Sequence, residues 1–263
     1  MTRPVGVFDS GIGGLSILRA LRSELPHQPF AYVADSGHAP YGEREPGHVI
    51  DRAQAITRYL IQTHNIQALV VACNTATAAA IGLLRQQHPE LPIVGVEPAL
   101  KPAASASRTH RIGVLATRGT LQSDKFRTLL VSLQEQAQFV LQACDGLADA
   151  IEHQDHDRTE TLCRRYAQAL GSLGTRPGEI DTVVLGCTHY PLIMDTLHAV
   201  LGPQVQVLES GEPVARQTRR ILQQPASEGH PRLHLGTTGL LEQFRCAVHR
   251  WLQADAAVEA LHI

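Results

Sequence analysis

The chain has 263 residues, 43% of them hydrophobic and 18% charged, with a formal net charge of -2. This is the composition of a folded globular protein, long enough for one large or two modest domains, and it excludes a disordered chain. The small charge gives no electrostatic attraction to nucleic acid or an anionic membrane, and no apolar run reaches the ~20 residues that span a bilayer.

Val5-Gly6-Val7-Phe8 is already strand-like. It leaves no room for a secretion signal, which predicts a cytoplasmic protein. Asp9-Ser10-Gly11-Ile12-Gly13-Gly14 follows, then Leu15, Leu18, Leu21 and Leu25 recur at helical spacing. Asp9-Ser10 thus falls where a parallel strand gives way to a helix, the usual ligand position in open α/β sheets. The glycines match neither G-x-G-x-x-G nor a phosphate loop, so a nucleotide site is not indicated.

Phe30 to Ala34 reads as the second strand, ending in Asp35-Ser36-Gly37. A loop with Pro40-Tyr41-Gly42 leads to a helix carrying Val49, Ala53, Ile56 and Leu60. Ala68 to Ala72 is the third strand, Cys73-Asn74-Thr75 its end, and an alanine-rich helix runs from Thr75 to about Gln87. Ile93 to Val96 is the fourth strand. Alternation at this spacing predicts a parallel sheet.

After Glu97-Pro98 the pattern restarts. Ile112 to Thr117 echoes Val5 to Ser10, and Val184-Leu185-Gly186-Cys187-Thr188-His189 echoes Val70-Val71-Ala72-Cys73-Asn74-Thr75. Between them lie a strand at Phe139-Val140-Leu141, the stretch from Cys144 to Glu152, and a helix from Thr159 to about Leu173. Beyond the Cys187 turn come a helical pattern (Leu192, Met194, Leu197, Val200) and a strand from Val205 to Leu208. Ser210 is placed to cap a helix with Pro213 in its first turn. Leu233-His234-Leu235 and a closing helix with Phe244, Val248 and Leu252 are too small for a core and are expected to pack on the first lobe. The expected fold is α/β, with two similar lobes, each a mainly parallel sheet flanked by helices, and a site in the cleft between them. Residues 1–98 and 210–263 make the first lobe, 99–209 the second.

The five cysteines (Cys73, Cys144, Cys163, Cys187, Cys246) contain no C-x-x-C and fit free thiols in a reducing compartment. Cys187 and His189 offer two ligand types for a metal, but the other histidines lack ligand-like spacing, and no metal or cofactor is expected. Cys144, Cys163 and Cys246 read as small buried apolar residues. Cys73 and Cys187 differ because their context is repeated. At a strand-to-helix turn, free N–H groups and the helix dipole favour a thiolate. With Ser10, Asn74, Thr75 and Thr188 they suit the carboxylate of a small amino acid. Two opposed thiols can invert a carbon, one withdrawing its proton while the other returns one from the opposite face. Asp9 on one side, Glu152 and His189 on the other, are the neighbours able to assist.

Four blocks carry a resemblance: Gly6-Val7-Phe8-Asp9-Ser10-Gly11-Ile12-Gly13-Gly14-Leu15, Pro40-Tyr41-Gly42, Val71-Ala72-Cys73-Asn74-Thr75-Ala76-Thr77 and Leu185-Gly186-Cys187-Thr188-His189-Tyr190-Pro191. With Gly95-Val96-Glu97-Pro98, they resemble the glutamate racemase family of cofactor-independent aspartate/glutamate racemases. The resemblance implies interconversion of L- and D-glutamate for peptidoglycan synthesis, without pyridoxal phosphate or metal, in a chain that often forms homodimers. It implies that Cys73 takes the proton from D-glutamate, supported by Asp9, and Cys187 from L-glutamate, supported by Glu152 and His189. Asp9, Ser10, Tyr41, Gly42, Asn74, Thr75, Thr188 and His189 match substrate-contacting positions. Phe126 stands where the family usually has tyrosine, and Cys144-Asp145 replaces a commoner Cys-Pro. The alternatives are an aspartate racemase, a thiol-dependent decarboxylase, or a two-lobed amino-acid binding protein.

Overall fold

The computed structural model describes residues 2–222, 232–254 and 256–263, so residues 1, 223–231 and 255 of the expected first lobe lie outside it. Among the described residues, ten strands form two sheets in which every registered pair is parallel. The first sheet uses β1 (Val5–Asp9), β2 (Phe30–Ala34), β3 (Ala68–Val71), β4 (Ile93–Gly95), β9 (Leu233–Thr237) and β10 (Val258–Ala260). The second uses β5 (Arg111–Ala116), β6 (Gln138–Ala143), β7 (Thr182–Gly186) and β8 (Gln206–Leu208).

Strand order repeats between the sheets. The first reads β10-β9-β2-β1-β3-β4 and the second β6-β5-β7-β8. In each half the opening strand lies between the next two, so the chain crosses to one side and then to the other. That reversal leaves a crevice at the carboxyl ends of β1 and β3, and another at the ends of β5 and β7. Asp9 and Cys73 border the first crevice, Thr117 and Cys187 the second.

The central strands read as unbroken apolar runs because helices cover both faces. β1, β2, β3 and β7 are buried along their full length. Around the first sheet pack α1 (Leu15–Glu24), α2 (Pro46–His64), α3 (Asn74–Gln87), α10 (Gly211–Ile221) and α11 (Leu241–Leu252). α4 (Leu100–Ala106), α5 (Arg118–Gln122), α6 (Asp124–Val131), α7 (Leu147–Glu152), α8 (His156–Leu170) and α9 (Met194–Leu201) serve the second. One apolar cluster is continuous through both halves, from Val5 and Leu15 to Ile151, Val183 and Tyr190.

Three expectations are corrected. Cys187 does not open a helix: a 3-10 turn over Tyr190–Ile193 intervenes before α9. Ser210 stands at the start of α10, but its hydroxyl donates to the Glu97 carbonyl at 2.7 Å, leaving the Glu209 carboxylate to accept the Gly211 N–H. Cys246 is exposed, because Phe244, Ala247, Val248 and Leu252 form the inward stripe of α11. Cys144 and Cys163 are buried as expected.

Candidate active site

Cys73 is the residue immediately before α3, and the Ala76 N–H donates to its Sγ at 3.5 Å. The sulfur lies 3.8 Å from the Ser10 hydroxyl. Ser10 in turn gives its N–H (2.5 Å) and its hydroxyl (3.1 Å) to Asp9 Oδ1. The other Asp9 oxygen accepts the Thr188 hydroxyl at 2.8 Å, a bond that crosses from one sheet's loops to the other's.

Cys187 has different neighbours. Its Sγ lies 3.8 Å from His189 Nδ1. The far ring nitrogen meets Glu152 Oε2 at 2.7 Å, with both side chains almost wholly buried. Glu152 also takes the Ile12 N–H on Oε2 at 2.9 Å and the Ser36 hydroxyl on Oε1 at 2.6 Å. The carboxylate at the end of α7 is therefore held by the loops that follow β1 and β2.

These contacts explain the glycines after β1. A Cβ on Gly11 would stand 2.2 Å from Glu152 Oε2, and one on Gly13 2.3 Å from His189 Nδ1. The loop is bare so that the His189–Glu152 pair can lie directly against its backbone.

Burial and charge set the protonation preferences. Burial raises the Asp9 carboxyl against the pull of His189, and burial followed by the Asp9 charge raises the Cys73 thiol well above its usual value. The expected helix-start effect on Cys73 is real, since the Ala76 N–H favours the thiolate, but desolvation and Asp9 outweigh it. Burial also opposes ionisation of Glu152 and His189. Their mutual bond, joined by Cys187, Ser36 and Ile12, overcomes it, lowering the Glu152 carboxyl and raising the imidazole well above its ordinary range. Burial pushes the Cys163 thiol up to about 11 and that of Cys144 higher still, so both stay protonated.

The remaining expected residues gather at the same crevices. Thr75 Oγ1 lies 3.0 Å from Thr117 Oγ1, which is 2.9 Å from Thr120 Oγ1. Asn74 donates to the Val96 carbonyl at 3.3 Å. Gly42 faces Thr117 so closely that a Cβ would come within 2.6 Å of it. Tyr41 is buried, and its hydroxyl is spent on Asp35 Oδ2 at 2.5 Å, beside the paired Arg52 guanidinium. Ser36, Thr117 and Thr120 were not singled out from the sequence. The echo of Ser10 in Thr117, and of Asp9-Ser10-Gly11 in Asp35-Ser36-Gly37, was the available signal.

Cys73 is 5% exposed and Cys187 7%. A cavity of about 480 Å³ adjoins the hydroxyl cluster, bordered by Gly42 and Thr75 on one side and Arg118 and Gly119 on the other. Among the described residues no group of three or more His, Cys, Asp or Glu is disposed to hold a metal ion.

A model of the Asp/Glu/hydantoin racemase family matches residues 15–218. A glutamate racemase of Ectopseudomonas mendocina is 47% identical over 223 residues, which are 84% of this chain and 82% of that one. Another, of Methylococcus capsulatus, is 46% identical over 84% of this chain and 79% of its own. The solved structure of a glutamate racemase isoform from Bacillus anthracis superposes with a TM-score of 0.86 at 30% identity, covering 99% of this chain and 98% of that one. That of Escherichia coli glutamate racemase, in complex with L-glutamate and the activator UDP-MurNAc-ala, has a TM-score of 0.84 at 30% identity, with the same coverage.

Proposed function

The chain belongs to the Asp/Glu/hydantoin racemase family, and from that premise we propose how its two thiol sites act. The protein is a glutamate racemase, an isomerase that interconverts L- and D-glutamate and so supplies D-glutamate for peptidoglycan. The observation that carries the reading is the pair of shielded cysteines at matching crevices of two sheets, each with its own acid–base partners.

In this mechanism, Cys187 as thiolate takes the α-proton of L-glutamate, and Cys73 as thiol delivers its proton to the opposite face. The products are D-glutamate, a Cys187 thiol and a Cys73 thiolate. The reverse direction exchanges the roles, so one proton is shared between two sulfurs. Asp9 serves Cys73, while His189, backed by Glu152, passes a proton to or from Cys187. General base catalysis supplies ~10²–10⁴-fold, and the carbanionic charge needs more. We assign that task to Asn74, Thr75 and the N–H groups at the turns, while Ser10 and Thr188, which donate to Asp9, hold that carboxylate in place. Tyr41-Gly42 shapes the wall against Thr117. Residues 1–98 with 210–263, and 99–209, act as the two lobes that open and close. We place the protein in the cytoplasm as a homodimer. Among the described residues no helix is long and apolar enough to cross a membrane.

The test is optical rotation of L-glutamate incubated with the protein. Decay to zero supports racemization, and a parallel run with L-aspartate separates the aspartate reading. Binding without loss of rotation would sink the proposal in favour of a receptor.

A further inference from the structure

Ser36 has no part in the mechanism so far, yet it makes a short hydrogen bond to the best-buried ion pair of the site. The Ser36 hydroxyl reaches Glu152 Oε1 at 2.6 Å from the turn after β2. Glu152 has three partners: Ser36 and the Ile12 N–H belong to loops of the first sheet, and only His189 shares its own half. Cys73 is built the other way. Both neighbours of its sulfur, Ser10 and the Ala76 N–H, come from the first-sheet side.

The Ser36 turn is itself pinned. The adjoining Asp35 carboxylate accepts two bonds of 2.8 Å from Arg52, one from Tyr41 and one from the Thr238 hydroxyl at 2.8 Å. Gly37 N–H donates to the same threonine at 3.1 Å. Every one of those partners lies on the first-sheet side, so Ser36 is presented at a fixed place whether or not Glu152 is there to meet it.

We propose that Ser36 is a positioning residue for the Cys187 side of the reaction. With the Ile12 N–H it fixes the Glu152 carboxylate on His189 when the two halves meet, so closure itself completes the His189–Cys187 pair. An ionised carboxylate only accepts hydrogen bonds, and three donors at once leave it one orientation. Parting the cleft removes two of the three and returns the carboxylate to water. The Cys73 sulfur keeps both of its own contacts within one half, with only the Thr188 bond to Asp9 crossing over, whereas the Cys187 side draws two of the three Glu152 donors from the other half. The charged and titratable groups facing Glu152 are His189, Asp9 and the Tyr32 phenol. The inference rests on the proposed racemization.

The experiment is kcat and kcat/KM for both glutamate enantiomers against pH, with the whole chain and its Ser36→Ala and Ser36→Thr variants. Removing a donor from an ionised carboxylate raises its pKa, so in Ser36→Ala the acid limb moves up by about one pH unit. kcat near neutrality falls about tenfold with KM little changed. Ser36→Thr keeps the hydroxyl and the original limb. A limb unmoved in Ser36→Ala, a loss uniform across pH, or a limb shifted equally in Ser36→Thr overturns the proposal. A wild-type protein inactive on both enantiomers refutes the racemase reading itself, a separate result.

Discussion

The two thiol sites occupy equivalent crevices of two sheets that share one four-strand order, yet the carboxylates beside them are held on opposite electrostatic terms. At Cys73 the neighbouring carboxylate, Asp9, is buried with hydroxyl and amide partners and is held above its ordinary pKa. At Cys187 the carboxylate is one step removed, paired through an imidazole, and held below its ordinary value. A repeated fold thus fixes where the sulfurs stand, while the loops decide which carboxylate stands near each and how that carboxylate is charged.

The widest test of the comparison is deletion of either sulfur. Cys73→Ser and Cys187→Ser are each expected to lower turnover by ~10²–10⁴-fold. Mirror-image substrates have equal free energy, so kcat/KM must fall by the same factor in both directions. Circular dichroism from each enantiomer checks both numbers, and a fully active Cys187→Ser variant would refute the assignment.

Next is the contrast between the carboxylates. Glu152→Gln leaves His189 without its buried partner and is expected to cost about 3 kcal/mol at pH 7. Asp9→Asn removes a charge that burial already disfavours, and should stay within about 1 kcal/mol of the parent. The signs follow from linkage. A lowered Glu152 carboxyl stabilises above its unfolded value near 4.5 and loses that contribution as pH falls through the folded value. A raised His189 stabilises fully below 6.5 and loses it as pH rises through its higher folded value. Asp9 penalises the fold as pH climbs above 3.8. Urea unfolding of both variants across pH 4 to 8 measures this, and equal losses for the two would contradict the contrast.

A smaller effect separates the loops. Gly13→Ala places a methyl against the His189 ring and is expected to lower kcat about tenfold. Gly82→Ala, in α3 with open space around it, should leave kcat unchanged and add about 0.5–1 kcal/mol of stability. Steady-state rates and melting curves read both. Wild-type kcat in Gly13→Ala would show that the bare loop is not there for His189.

The strands were legible because parallel strands covered on both faces are short apolar runs ended by turn residues, as at Phe30–Ala34 and Thr182–Gly186. β10 was not, since three residues become a strand only by pairing with β9. α4 was hidden by Pro102 within it, and α5 and α6 by their brevity. Cys73 and Cys187 were visible through their repeated context. Ser36, Thr117 and the close fit at Gly11 and Gly13 were not, because each is defined by a side chain more than forty residues away that only the folded chain brings near.

The most direct measurement is isotope placement in D₂O during the first few percent of conversion, run separately from L- and D-glutamate. Two thiols on opposite faces predict deuterium at Cα of the newly formed enantiomer and protium in the residual substrate, in both directions. Return of the substrate's own hydrogen to the product, or early deuterium in the unconverted enantiomer, would mean that one base visits both faces and would contradict the account.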